Sequence, residues 1–172
     1  KRVETAIHGG NIQVYSDSGT WRDTGFSPPL SQWTHIAIVR NYSAGTLKLY
    51  ANGVEEWSVS NTRDYDENST GNIGKMSNYY TGYMDEIRIS KGIARWTRDF
   101  IPSERPYSKI DDDYHAAEEK TITKEVSTTP DSYTKLLIHS DTADGSTTFV
   151  DSSASSHVIT TAGNSHHETD QK

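Results

Sequence analysis

The sequence contains no cysteine, so a disulfide framework, a thiol nucleophile and a zinc site built on Cys ligands are all excluded. Small secreted eukaryotic domains often carry disulfides, and their absence here favours a bacterial or viral source. No apolar run is long enough to cross a bilayer, and no signal peptide is visible. From the abrupt start at Lys1 we expect the chain to begin inside a larger protein.

Basic side chains are scarce and unevenly distributed. The chain has 17 Lys and Arg against 24 Asp and Glu, which gives a net charge of −7. Up to Pro106 there are 12 basic and 12 acidic residues, whereas from Tyr107 onward there are 5 basic and 12 acidic residues. The sequence contains no basic patch of the kind that binds nucleic acid, and its acidic balance argues against such binding. The first part, which holds all four Trp, therefore reads as a folded domain, and the part that follows reads as an acidic segment.

Aliphatic residues are also few, since hydrophobic residues make up 32% of the chain and the mean hydropathy is −0.78. Aromatic residues are nevertheless frequent, with 10 Tyr, 4 Trp and 3 Phe. An aromatic-rich chain with much Thr, Ser, Asn and Gly is typical of antiparallel β-sandwiches. The composition therefore indicates an all-β fold.

Alternation of apolar and polar residues predicts the strands of the first part. Asn11–Tyr15 reads as a half-buried strand, and Trp33–Arg40 reads as a central strand because both of its faces carry apolar groups. Thr46–Ala51 and Val54–Ser60 are joined by Asn52-Gly53, which suits the two positive φ angles of a type I′ turn. These two segments therefore predict a β-hairpin.

Strand patterns return later in the chain. Gly82–Ser90 and Thr134–His139 read as strands, and Lys91–Thr97 reads as one helical turn. We also expect short strands at Thr147–Val150 and His157–Thr161, and a mobile polar tail over Gly163–Lys172.

Two blocks of sequence resemble a known family. Trp33–Arg40 reads W-T-H-I-A-I-V-R and Gly45–Gly53 reads G-T-L-K-L-Y-A-N-G, and together they resemble the core of laminin-G-like jelly rolls of the concanavalin A-like lectin/glucanase type. Tyr83–Trp96, Y-M-D-E-I-R-I-S-K-G-I-A-R-W, resembles the closing strand of that family. The resemblance covers residues 11–106 and implies an antiparallel jelly-roll β-sandwich. Repeats of this kind are frequent in phage tail and fibre proteins and in bacterial surface proteins.

The pattern that opens the family's domain stands at the other end of this chain. It consists of Thr134–His139, T-K-L-L-I-H, and Asp144–Ser153, D-G-S-T-T-F-V-D-S-S. The resemblance then implies the second half of one repeat in residues 1–106, an acidic linker in 107–130, and the start of a following repeat with a polar tail in 131–172. In that case neighbouring segments or chains of the same assembly supply the missing strands. The alternative is a circular permutation in which the C-terminal strand completes the first part.

Catalytic patterns are weak. The best acidic pair in a predicted strand is Asp85-Glu86, and adjacent residues of a strand point to opposite faces, so the pair does not suit a glycosidase. His35 lies within a predicted strand and is expected to be a core or face residue, and His166-His167 are expected to be solvated in the tail. We therefore expect no enzyme activity.

Carbohydrate binding requires aromatic faces with amides nearby. Trp21 in one loop and Asn78-Tyr79-Tyr80 in another supply these groups, although the same aromatic residues could instead pack against a neighbouring subunit.

Calcium is the cofactor for which the sequence offers oxygen ligands. They come from Asp64 and Asp66 with Glu67 and Asn68, and from a second acidic turn with Asp141 and Asp144, although neither segment matches a twelve-residue calcium loop.

These observations predict a non-catalytic structural or adhesion module of a virion, such as a phage tail or fibre, or of an extracellular surface protein. The alternative is a calcium-assisted carbohydrate-binding lectin-like domain, and a glycoside hydrolase is disfavoured. The expected partners are other segments or chains of the same assembly and cell-surface glycans, with neither nucleic acid nor membrane insertion. Because this fold hosts many functions, the site has to decide among these hypotheses.

Overall fold

The structure is a computed structural model, and it describes residues 3–16, 20–63, 65, 72–75, 78–103, 132–139 and 142–168. These residues form strands and no helix, and none of them belongs to a helix that could cross a membrane. The chain divides into two compact units, the first made of residues 1–78 and 94–102 and the second of residues 79–93 and 103–172. The strands are β1 (Val3–His8), β2 (Asn11–Ser16), β3 (Trp21–Asp23), β4 (Ile36–Asn41), β5 (Thr46–Ala51), β6 (Val54–Ser60), β7 (Ile87–Ser90) and β8 (Thr134–Ile138).

The first unit contains two antiparallel three-stranded sheets. Sheet A has the order β1-β2-β3 and sheet B the order β4-β5-β6. The prediction of a strand at Asn11–Tyr15 is confirmed, and the structure adds β1 before it and β3 after it, in segments that the sequence pattern did not assign to strands. Gly9 and Gly10 join β1 to β2 with φ angles of 61° and 88°, and Gly accepts this region without the Cβ penalty.

The hairpin of β5 and β6 has the predicted bounds and the predicted turn. Asn52 and Gly53 have φ angles of 48° and 83°, as a type I′ turn requires. The Asn52 side chain also accepts a hydrogen bond from the backbone N–H of His35 at 2.9 Å, which ties β4 to the turn. The register shifts between Leu49 and Tyr50, because one extra residue of β6 interrupts the pairing.

The core of the first unit lies on both faces of sheet B. On one face, Leu47 and Leu49 of β5 meet Ile12 and Val14 of β2, and all four side chains are buried. Phe26, Ile38, Trp57 and Val59 pack around this cluster. Two antiparallel sheets with interdigitating inner faces form a β-sandwich, so the predicted fold class is confirmed.

The opposite face of sheet B is covered by residues 94–102, which we call the closing segment. Ala37, Val39 and Tyr50 are buried there against Ala94, Trp96 and Phe100 of the closing segment. The rings of Trp96 and Phe100 stack at 4.3 Å, and Phe100 also meets Tyr50 edge-on at 5.6 Å.

The ring of His35 contacts both Trp96 and Phe100, at 5.7 Å and 5.6 Å, so the histidine packs on this face as expected. It lies just before β4, however, which begins at Ile36 and not at Trp33 as predicted. The predicted helical turn at Lys91–Thr97 is wrong, because aromatic packing on sheet B holds its later residues in irregular backbone.

In the second unit, β7 pairs antiparallel with β8. Strand β7 begins at Ile87 and not at Gly82 as predicted, because Glu86 has a φ of 51° and interrupts the extended backbone. Leu137 and Ile138 of β8 are buried, and Ile138 forms an isolated bridge with Asp151. The pairing of β8 with a strand of its own chain is the arrangement that the circular-permutation alternative requires. The predicted linker, residues 107–130, lies outside the described residues.

The described residues of the predicted tail, 163–168, pack more closely than their polar sequence predicted. His167 is 1% exposed, its ring stacks on Phe149 at 4.2 Å, and its backbone N–H donates to the carbonyl of Ser146 at 2.8 Å. The expectation of a solvated His167 in a mobile tail is therefore wrong, because an aromatic partner buries the imidazole. The short strands expected at Thr147–Val150 and His157–Thr161 are also absent, since both segments have irregular backbone.

We expect Gly53→Ala to destabilise the first unit strongly. A Cβ at Gly53 would lie 1.8 Å from the backbone oxygen of Phe100, so the closing segment would have to move. Gly25→Ala is the matched control, since Gly25 has a φ of 75° but nothing within 4 Å of its added Cβ. The control is expected to cost about 1–2 kcal/mol in free energy of unfolding through backbone strain alone. Gly53→Ala is expected to cost about 2 kcal/mol more through the clash.

Urea unfolding followed by tryptophan fluorescence measures this difference, because all four Trp belong to the first unit. Equal losses for the two variants would contradict the contact between the turn and the closing segment.

Candidate functional site

The outer face of sheet A is built by the alternation of side chains in its central strand. Ile12 and Val14 point into the core, so Asn11, Gln13 and Tyr15 point to the other side. Residues directly opposite each other in neighbouring strands share a face, and the pairing of β1 and β3 with β2 therefore extends this face on both sides.

The register arranges this face in three rows, and we call it the outer platform. The first row is Glu4, Tyr15 and Trp21, the second is Ala6, Gln13 and Asp23, and the third is His8 and Asn11. Neighbouring strands lie about 4.8 Å apart and alternate residues of a strand about 7 Å apart, so the platform measures roughly 10 by 14 Å.

Two aromatic rings dominate the first row of the platform. The centroids of Tyr15 and Trp21 lie 5.5 Å apart with an interplanar angle of 54°, and both side chains are half-buried. The two rings hold each other in a tilted arrangement and form an amphipathic surface. Trp21, which the sequence predicted as a carbohydrate-binding residue, therefore stands on a flat face beside a second aromatic ring.

Polar groups stand next to these rings and are fixed by local hydrogen bonds. The Asn11 amide donates to both carboxylate oxygens of Asp23, at 3.0 and 3.2 Å, and the Gly25 backbone N–H donates to Asp23 Oδ1 at 2.8 Å. The hydrogen bond from Gly25, helped by the side chains of Asn11 and Gln13, lowers the pKa of Asp23 below its ordinary value. Asp23 therefore presents a charged acceptor with a defined orientation.

This arrangement contains the kinds of groups that carbohydrate binding requires. Sugar rings stack on aromatic faces through their C–H groups, and their hydroxyls require acceptors and donors at the ring edge. Tyr15 and Trp21 supply the aromatic faces. The hydrogen-bonding groups come from Asn11, Gln13 and Asp23.

The remaining residues predicted for carbohydrate binding belong to two units. Asn78 is exposed in the first unit, whereas Tyr79 and Tyr80 are 56% and 44% exposed in the second. A Cβ at Gly163 would lie 3.4 Å from the ring of Tyr79, so that glycine lies against the ring. A joint site of Trp21 with these three residues remains a prediction.

The predicted calcium ligands Asp64 and Asp66 lie outside the described residues, as does Asp141. Asp144 is described and exposed. Within the described ranges, no group of three or more His, Asp or Glu side chains is placed to hold a metal ion. Calcium binding at Asp64 and Asp66 therefore remains a prediction.

Asp85 and Glu86 make local contacts just before β7. Asp85 Oδ1 accepts a hydrogen bond from the backbone N–H of Glu86 at 2.8 Å, and Glu86 Oε1 lies 3.0 Å from His139 Nδ1. Asp85 thus stabilises the backbone just before β7, and Glu86 contacts the residue that follows β8. These contacts do not direct the two carboxylates into a common cleft.

A buried carboxylate that the sequence reasoning did not single out organises the second unit. Asp151 Oδ1 accepts hydrogen bonds from the backbone N–H groups of Leu137 and Ser153. Asp151 Oδ2 accepts a hydrogen bond from the backbone N–H of His157 and also lies 2.8 Å from the imidazole Nδ1 of the same residue. Burial alone would raise the pKa of Asp151, but these hydrogen bonds outweigh it and lower the pKa well below its usual range. The sequence signal that could have indicated this buried carboxylate is the D-S-S pattern at Asp151–Ser153.

The architecture is that of a sandwich of small antiparallel sheets with an aromatic, polar outer face. A family model for the concanavalin A-like lectin/glucanases superfamily, Laminin_G_3, matches residues 3–95. The match spans more than half of the chain, from β1 through β7, and the chain belongs to this family. No curated protein and no solved structure matches the chain.

We expect the stability of the second unit to fall in acid because of Asp151. Its pKa is lowered on folding, so the unfolded chain binds a proton first as the pH falls. The stabilisation of the fold by ionised Asp151 is complete when the pH is well above the ordinary carboxyl pKa of 3.8, and it is lost progressively as the pH falls below that value. Asp151→Asn should remove this pH dependence. It should also lower the free energy of unfolding at neutral pH by about 1–3 kcal/mol, because backbone N–H groups lose the carboxylate that accepts their hydrogen bonds.

Urea unfolding followed through the NMR amide signals of Leu137, Ser153 and His157 checks this expectation. Asp144→Asn, in an exposed position of the same unit, is the control. The assignment fails if Asp151→Asn retains the acid loss of the unchanged protein.

Proposed function

We propose that the chain is a non-catalytic adhesion module that binds carbohydrate on the outer platform, within a virion or cell-surface protein. The observation that carries the proposal is the Tyr15–Trp21 pair, with Gln13 and Asp23 in the next row of the same sheet face. Membership of a superfamily that includes lectins supports it. The resemblance to repeats of phage fibres and bacterial surface proteins supports the surface location.

The state of Asp23 does not suit the general acid of a glycosidase. A glycosidase requires a carboxylic acid that stays protonated near neutral pH, and its pKa must be raised for that purpose. Hydrogen bonding lowers the pKa of Asp23 instead, so this group accepts hydrogen bonds and does not deliver a proton. Among the described carboxylates before β7, Asp85 and Glu86 are engaged in turn contacts.

Neighbouring segments or chains of the same assembly are the second class of partner that we propose. Sheets A and B have only three strands each in the described part of the chain, and β1 and β4 form edges there. Unpaired sheet edges favour the addition of another strand. Adhesion modules that pair at such edges would present several platforms together.

We expect Trp21→Ala to weaken binding of oligosaccharides by about 2- to 10-fold, because stacking on one aromatic ring contributes about 0.5–1.5 kcal/mol. Trp33→Ala is the matched control, since Trp33 is 58% exposed but lies outside sheet A. The ligand is first identified on an array of neutral, acidic and amino oligosaccharides, and affinity is then measured by calorimetry.

Two results would contradict the proposal. One is the absence of any binding by the folded protein, and the other is an equal loss of affinity in Trp21→Ala and Trp33→Ala. Mass spectrometry of the incubated ligand tests the non-catalytic part, since cleavage by the protein would show an enzyme.

A further inference from the structure

The core of the first unit stops short of strand β1. The side chains of Val3, Thr5 and Ile7 point to the inner face of sheet A, because each lies opposite a buried residue of β2. Val3 is nevertheless 37% exposed and Ile7 51% exposed, and the buried cluster that packs on β2 includes no residue of β1. Two aliphatic side chains of the inner face therefore lie beyond the cover that the described residues give to β2.

The backbone groups of the same three residues point to the free edge of sheet A. The N–H and the carbonyl of Ile12 form hydrogen bonds of 2.8 and 3.1 Å with the segment that follows β3, so both groups point away from β1. Ile7 lies opposite Ile12, and the residues of such a pair direct their backbone groups away from each other. Because this direction alternates along a strand, Thr5 and Val3 also present an N–H and a carbonyl at the edge.

Strand β1 does not have the features that protect the other edges of the two sheets. Natural edge strands avoid pairing through charged side chains, Pro, bulges or short length. Strand β3 has three residues, β6 holds Glu55 and Glu56 and pairs in an irregular register, and β4 contains Arg40. Strand β1 has six residues in regular register, neither Lys nor Pro, and a β-branched residue at each position that faces the edge.

The order of these edge-facing residues is self-complementary. When two β1 strands run antiparallel about a two-fold axis at Thr5, Val3 of each copy lies opposite Ile7 of the other. Thr5 then lies opposite Thr5, which is a favourable cross-strand pair. Each edge-facing N–H and carbonyl meets a partner, and the apolar side chains stay on one face. No like charges lie directly opposite each other in this register, because Glu4 faces Ala6.

We propose that the β1 edge binds the β1 strand of a second copy of this chain, paired antiparallel about a two-fold axis at Thr5. The inference rests on the pairing of chains in the proposed function, and it names the edge, the partner and the register. The two sheets A then form one sheet of order β3-β2-β1-β1-β2-β3. The outer platforms of both copies lie side by side on the same face of this sheet and extend over about 24 Å.

Oxidative cross-linking of the whole chain tests the register. The chain has no cysteine, so Thr5→Cys introduces a single thiol. Residues of a hydrogen-bonded antiparallel pair have Cα atoms about 5.5 Å apart, which a disulfide spans. We expect Thr5→Cys to form a covalent dimer with oxidised glutathione, which is reduced as the two thiols join. Ala6→Cys should not do so, because the two Ala6 residues are displaced by about 7 Å along the strands.

The control for chance collisions is Ser58→Cys, at an exposed position of the β6 edge of sheet B. We expect this variant to cross-link far more slowly than Thr5→Cys.

Sedimentation velocity of the unchanged chain tests the association itself. One strand pair makes a small interface, so we expect a reversible monomer–dimer equilibrium that is measured from about 10 µM to 1 mM. Thr5→Lys should raise the dissociation constant at least about tenfold, because two like charges would meet at the axis. Ser58→Lys should leave the dissociation constant unchanged. Thermal unfolding verifies that both variants keep the fold, which we expect because both positions are exposed.

The outcomes separate this inference from the proposed function. A chain that stays monomeric at the highest concentration overturns the inference, whereas oligosaccharide binding by that monomer leaves the carbohydrate-binding function standing. Cross-linking of Ala6→Cys in place of Thr5→Cys overturns the register. A dimer that persists unchanged in Thr5→Lys, or that Ser58→Cys traps as readily as Thr5→Cys, overturns the β1 edge while pairing of chains at another edge stands.

Discussion

Strand β5 is buried on both of its faces, and the first unit depends on this one strand. Leu47 and Leu49 carry the contact with sheet A, while Tyr50 carries the contact with the closing segment. Because side chains alternate along a strand, the adjacent residues Leu49 and Tyr50 point to opposite faces of sheet B and so serve the two layers. The outer platform is an indirect product of this burial, because the packing of Ile12 and Val14 against β5 decides which side of β2 faces outward.

The two units use different means to hold irregular backbone. In the first unit, stacked aromatic rings fix the closing segment on sheet B. In the second, the fully buried side chain of Asp151 collects N–H donors from β8 and from the segment that follows it. A buried carboxylate with satisfied acceptors substitutes for regular hydrogen bonding, whereas an unsatisfied one would destabilise the unit.

The sequence predicted the elements whose local pattern and tertiary role agree. The hairpin at Asn52-Gly53 is one, since alternation and turn chemistry point to the same structure. Strands β1 and β3 could not be found in this way, because Val3 and Ile7 are exposed and Trp21–Asp23 is short. Trp21 was therefore recognised as a candidate, but its partners Tyr15 and Asp23 were not, since only the sheet register brings them together. His167 was missed because burial by Phe149 leaves no local signal.

The pairing of β7 with β8 has a consequence for the order in which the chain folds. Residues 91–133 separate the two strands, whereas only a two-residue turn separates β5 from β6. Closing a long loop costs more entropy and takes longer than forming a hairpin, so we expect the hairpin to form early and β7 to wait for its partner. During synthesis, the strand that ends the family match would emerge well before the residues that complete its ladder. The nascent chain would thus expose an unpaired edge for an interval set by translation.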